Sequence, residues 1–172
     1  CCRRWSFCNE AIYRLENNYW PDGISAVVFL LYKPVGFGTD KKVIRRDDRI
    51  HRLMTAALRR KHPYRIGFDT CFTPILLDYQ DDFEIQSIDS CEAARFSMYI
   101  DSEMNAYPCS FDNQCGKYRV SLRDSSIQQA WDSLTFENFR NRNSSCKECT
   151  RYSICNGGCG LELGINAGLY CH

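Results

Sequence analysis

Cysteine is the residue type here whose number and spacing demand a chemical explanation: twelve stand among 172 residues. Five of them form the run Cys146-x2-Cys149-x5-Cys155-x3-Cys159 followed by Cys171. Thiols two residues apart can reach one metal centre across a tight turn. Gly157-Gly158 gives the main chain room to wrap a centre and to aim amides at its sulfides. A tetrahedral zinc site takes four ligands, so one cysteine of the run must serve elsewhere. Cys91 and Cys109 upstream raise the count to seven. That arithmetic predicts two centres with interleaved ligands, and iron–sulfur clusters are held by thiolates in this way. A zinc ribbon with spare cysteines, or a cluster-bearing electron carrier, is the non-catalytic alternative. Disulfides fit less well. A chain of this length can bury a core without staples, and thiolates that bind metal must survive in a reducing compartment. A cytoplasmic location is the expectation.

The residues around these cysteines resemble the SPASM domain of radical SAM enzymes. Cys91-Glu92-Ala93-Ala94-Arg95, Tyr99-Ile100-Asp101, Ala106-Tyr107-Pro108-Cys109-Ser110-Phe111 and Ile127-x3-Trp131 carry the likeness together with the seven cysteines. It extends over residues 91 to 172, and Met104 stands where the family usually has glycine. The resemblance implies two auxiliary clusters, typically [4Fe–4S]. Cys146, Cys149, Cys155 and Cys171 would hold the distal one, and Cys91, Cys109 and Cys159 the proximal one. The proximal fourth ligand is open: Cys71 is the first choice, Cys115 the second, and some family members leave that position to substrate. The resemblance also implies a peptide or protein substrate, with thioether or carbon–carbon crosslinking as the usual chemistry, and an electron donor as partner. In some relatives an acid near Asp112 acts as a base; a turn-capping aspartate is the plainer reading.

Upstream elements must position these groups. Ile12 and Leu15 suggest a short helix that Pro21-Asp22-Gly23 ends. Ala26 to Tyr32 reads as a strand buried on both faces, the mark of a parallel sheet. It leads into the loop Lys33-Pro34-Val35-Gly36-Phe37-Gly38. A helix follows, capped by Asp47 or Asp48, with Ile50, Leu53, Met54, Ala57 and Leu58 at helical spacing and Arg59, Arg60 and Lys61 in its last turn. Pro63 stops it, and Tyr64 to Asp69 is a second strand. Together these predict a βαβ unit, whose functional residues gather at the C-terminal strand ends. Lys33, Asp69 and Cys71 fall there.

Beyond Cys71 the polar, acidic stretch from 78 to 90 reads as a linker. Phe96, Met98 and Ile100 alternate as in a half-buried strand, Asp101 to Asn105 turns, and Ala106 to Cys109 returns. Ser126 to Leu134 is a short helix, Phe136 and Phe139 mark another helical turn, and from Asn141 onward order would come from metal. The expected class is therefore α/β: residues 1–77 as the terminal βαβ portion of a partial (β/α)6 barrel, 78–90 as a linker, and 91–172 as a small, loop-rich α+β SPASM iron–sulfur domain.

The formal net charge of +1 offers no electrostatic case for a nucleic-acid or membrane partner. No apolar run approaches the roughly 20 residues of a membrane-spanning helix. The histidines His51, His62 and His172 are scattered. Radical SAM enzymes cleave S-adenosylmethionine on a cluster bound by a Cys-x3-Cys-x2-Cys triad. No such spacing occurs here, and Cys1, Cys2 and Cys8 do not supply it. The chain opens with Cys1, which suggests a piece of a longer protein. The expectation is a portion that binds substrate and relays electrons, with S-adenosylmethionine used only by the intact parent.

Overall fold

Two short parallel strands set the frame. In the computed structural model, which describes residues 6–39, 43, 48–112, 116–142, 144–159 and 161, β1 (Ala26–Phe29) pairs with β2 (Arg65–Phe68) in register Ala26↔Arg65 to Phe29↔Phe68. The expected parallel pair is present, and the helix between its strands is α2 (Asp48–Leu58). Ile50, Leu53, Met54 and Ala57 of α2 are buried at helical spacing. α1 (Ser6–Asn17) packs Ile12 and Leu15 against Leu53, Ala56 and Ala57, so that the two helices share one apolar cluster with Val27.

Three local expectations change. β1 is shorter than Ala26 to Tyr32 and is buried on one face only: Val27 is buried, while Val28 is 59% exposed and Leu30 73%. Both helices of that cluster cover the Val27 face, and no described element covers the other. α2 ends at Leu58, so the basic residues follow the helix rather than complete its last turn. Arg59 pairs with Asp82 at 2.9 Å, and Arg60 donates to the Glu16 carbonyl at 2.9 Å. Pro63 disfavours helix at the residue before it, which leaves the basic residues to find partners outside a helix.

After β2 a 3-10 turn (Thr70–Phe72) runs into α3 (Thr73–Leu76), with Pro74 in the first turn where its missing N–H costs nothing. The acidic stretch that follows folds into 3-10 turns at Leu77–Asp82 and Ile85–Ser87. Its Tyr79, Phe83 and Ile88 pack on the main core.

The second sheet is antiparallel: β3 (Tyr99–Ile100), β4 (Asn105–Tyr107) and β5 (Val120–Ser121), paired Tyr99↔Tyr107 and Ala106↔Val120. Phe96 and Met98 lie outside it, and Phe96 is 82% exposed. α4 (Ile127–Trp131) starts at a capping box: the Gln129 N–H donates to Ser126 Oγ at 3.2 Å, and the Ser126 N–H to Gln129 Oε1 at 2.7 Å. α5 (Leu134–Asn141) is capped by Ser133. One continuous core joins Leu31, Met54, Phe72 and Ile75 to Ala106, Phe136, Phe139 and Leu161. No described helix is long and apolar enough to cross a membrane.

Candidate metal centre

The ends of β1 and β2 place the first groups. The Asp69 N–H continues the parallel ladder by donating to the Phe29 carbonyl at 3.0 Å. This holds the segments after both strands side by side. Lys33, beyond β1, donates to Asp69 Oδ2 at 2.9 Å and to the Leu31 carbonyl at 3.2 Å. The Cys71 sulfur also lies within its electrostatic reach. The ammonium also stands 4.9 Å from the centre of the Phe111 ring. Burial would push Lys33 down, but the bonds to Asp69 and Cys71 outweigh it and hold the ammonium above the ordinary lysine value.

Cys71 sits in the 3-10 turn that reverses the chain after β2. It shares a hydrogen bond with Cys159. That bond first, and burial second, pushes the Cys71 thiol up; the same bond pulls Cys159 down. Cys71, Cys91, Cys109 and Cys159 all line one cavity of about 590 Å³, with Lys33, Asp69 and Phe111 on its wall. The structure thus brings the first-choice residue Cys71 to the same cavity as the three cysteines expected to act together.

Tight turns aim main-chain amides at the sulfurs. The N–H two residues on donates to Cys91 (from Ala93), to Cys109 (from Phe111) and to Cys159 (from Leu161). Around Cys91 the turn closes through the Arg95, Phe96 and Ser97 amides, all donating to the Glu92 carbonyl, with Ala94 at φ 55°. Arg140 clamps this turn to α4: its Nε donates to the Ala94 carbonyl at 2.6 Å and its Nη2 to the Trp131 carbonyl at 2.7 Å. Hydrogen bonds of this kind stabilise a thiolate and tune a cluster held by it. Without metal, burial pushes the Cys91 and Cys109 thiols up, so ligation would displace protons.

A second group forms nearby in sequence. The 3-10 turn Ser144–Glu148 and α6 (Tyr152–Cys155) bring Cys146 and Cys149 within electrostatic reach of Cys155. Asn156 is left-handed at φ 50°, and Gly157 and Gly158 follow at φ 77° and 72°. The Gly157 and Gly158 amides both turn toward Cys155, and the Gly158 N–H donates to its carbonyl at 3.0 Å. Cys171 and Cys115 lie outside the described residues, as do Cys1, Cys2 and His172.

The donor set can be tested against the group it would hold. The eight described cysteines carry no disulfide. Among the described residues, no three His, Cys, Asp or Glu side chains close around a single metal ion. A zinc site would draw four thiolates to about 2.3 Å from one point. Four thiols facing a cavity of about 590 Å³ suit a group with several metal atoms better.

Asp112 takes a different place. It is 1% exposed, its Oδ2 accepts the Tyr118 N–H at 3.0 Å, and its carbonyl accepts the Gly116 N–H at 2.8 Å. It does not line the cavity. It organises the loop after Cys109, and burial raises its carboxyl above the usual range. His51 and His62 stay on the surface side, bonded to Tyr79 and to Asn18 and the Ala56 carbonyl.

One residue that the sequence did not single out stands beside the cavity. Arg142 donates to the Phe139 carbonyl at 2.5 Å and to the Gly158 carbonyl at 3.1 Å, with its guanidinium 4.0 Å from the Phe139 ring centre. Its Nε is buried without a hydrogen-bond partner. Flanked by Asn141 and Asn143, it gave no periodic or motif signal.

No curated protein and no solved structure matches the chain. A protein-family comparison gives the one positive finding: residues 91–150, which contain Cys91, Cys109, Cys146 and Cys149, match the family model of SPASM, an iron–sulfur cluster-binding domain.

Proposed function

We propose that this chain binds two iron–sulfur clusters and is the cluster-bearing portion of a radical SAM/SPASM enzyme that modifies a peptide or protein. Cys71, Cys91, Cys109 and Cys159 would hold the proximal cluster; Cys146, Cys149, Cys155 and Cys171 would hold the distal one. When bound, such clusters supply one-electron transfer. The protein's part is to hold the thiolates and bond their sulfurs through main-chain amides. The observation that carries this reading is the convergence of Cys71 with three motif cysteines on one cavity. β1 and β2 end beside that cavity, and the same arrangement supports the reading of residues 26–69 as the end of a partial barrel.

Anaerobic reconstitution with ferrous iron and sulfide tests it. Two [4Fe–4S] clusters bring about eight irons and eight sulfides per chain. Uptake of zinc in preference, with no colour and no sulfide, would replace this reading with the zinc one.

A further inference from the structure

Arg142 poses an electrostatic problem that the described protein groups do not solve. Its bonded partners are two main-chain carbonyls and a ring face, not a carboxylate. Its Nε–H is sealed from solvent and unpartnered. A buried charge without a counter-charge is costly. The cation that does line the cavity, Lys33, is already paired with Asp69 at 2.9 Å. The groups within electrostatic reach of Arg142 are Cys91 and Cys159, then the like-charged Arg95, and Tyr118, and it holds the carbonyl of Gly158, next to Cys159. It acts on Cys91 more strongly than Arg95 does.

We propose that Arg142 is the counter-charge of an anionic group bound by Cys71, Cys91, Cys109 and Cys159, and that it holds that group's reduction potential up. The inference rests on the cluster reading above. A cluster with four thiolate ligands is anionic, and reduction adds another negative charge. A fixed cation beside two of its sulfurs favours the reduced form, and its partial burial strengthens the effect because water screens it less. Arg142 is thus a positioning and charge-compensating residue, not a ligand.

The test uses the full chain, reconstituted anaerobically with ferrous iron and sulfide and poised at the wild-type midpoint, with the reduced fraction read by electron paramagnetic resonance. Arg142→Gln lowers the reduced-to-oxidised ratio about tenfold, equal to about 59 mV for one electron, and Arg142→Lys stays within about threefold of wild type. The signal of the Cys146 group serves as an internal reference that does not move. An unchanged ratio in Arg142→Gln at wild-type iron content overturns the proposal. Should the glutamine variant take up no proximal iron, uptake itself decides. Wild-type loading by Arg142→Lys supports the charge requirement, and failure of both variants overturns it. Wild-type protein that binds no iron removes the cluster reading and this inference with it. Wild-type loading with unmoved variants removes only the inference.

Discussion

Cys71 and Cys159 share a hydrogen bond, although one follows the second parallel strand and the other follows the Gly157-Gly158 turn. The bond joins segments far apart in the sequence across a single cavity. The proposed proximal set takes Cys71, not Cys115, as its fourth ligand. Cys71→Ser is expected to remove one cluster and reduce iron from about eight to about four per chain, whereas Cys115→Ser leaves it unchanged. Iron and sulfide assays on the reconstituted variants check this. Equal loss in both would mean that the cavity geometry does not choose the ligand.

Met104 occupies the left-handed position of the β3–β4 turn at φ 63°. The turn still closes: the Met104 N–H donates to the Asp101 carbonyl at 3.2 Å, and the Leu122 N–H to the Met104 carbonyl at 2.7 Å. A side chain in this region costs about 1–2 kcal/mol, and the larger unfolded-state entropy of glycine returns part of that on substitution. The side chain is 50% exposed and gives up little packing. Met104→Gly should therefore stabilise the protein by roughly 0.5–1 kcal/mol, read from urea unfolding. A destabilised variant would show that Met104 contributes packing the turn depends on.

Asp101 organises the same turn. It accepts the Asn105 and Glu103 amides at 2.9 Å each and the Tyr107 hydroxyl at 2.9 Å. The Asn105 amide is the chief cause that holds its carboxyl below the usual range, with the Asn105 side chain and Tyr107 adding to it. A folded-state value lower than the unfolded one gives stability that is present above about pH 4 and is lost as pH falls through the folded value. Metal-free protein should weaken toward urea as pH falls below about 4, and Asp101→Asn should flatten that slope. An unchanged slope in the variant would assign the acid sensitivity to other carboxylates.

Much of the fold was legible because the signals were local. The spacing of Ile50, Leu53, Met54 and Ala57 marked the buried face of α2, and the apolar runs around Val27 and Ile66 marked the parallel pair. Once those strands were parallel, Lys33, Asp69 and Cys71 had to fall at the same end. Two-residue strands such as β5 carry no period to detect. The exposed face of β1 was missed because a run of apolar residues does not say which side is covered. Arg142 was missed for a different reason. Its significance lies in which groups surround it, and the Cys91 turn and Gly158 reach it only through tertiary structure.

Cleavage of S-adenosylmethionine by this chain alone is not expected. Cleavage of S-adenosylmethionine needs an iron with an open coordination position, which a three-cysteine loop of x3 and x2 spacing provides. No segment of the sequence has that spacing. In the cavity bounded by β1 and β2, four thiols are available, and a cluster bound by all four offers the cofactor no open iron. The described parallel sheet has two strands, so a pocket to orient the cofactor and exclude water is not complete in the described residues. Reduced, reconstituted chain incubated with S-adenosylmethionine should therefore release no 5′-deoxyadenosine above the reductant-only control. Cys71→Ser, which is expected to lose that cluster, should release none either. Turnover by the wild-type chain would place a radical-generating site among Cys1, Cys2, Cys8, Cys71 and Cys115. Turnover confined to Cys71→Ser would instead show that the fourth thiolate is what keeps the proximal cluster closed to the cofactor.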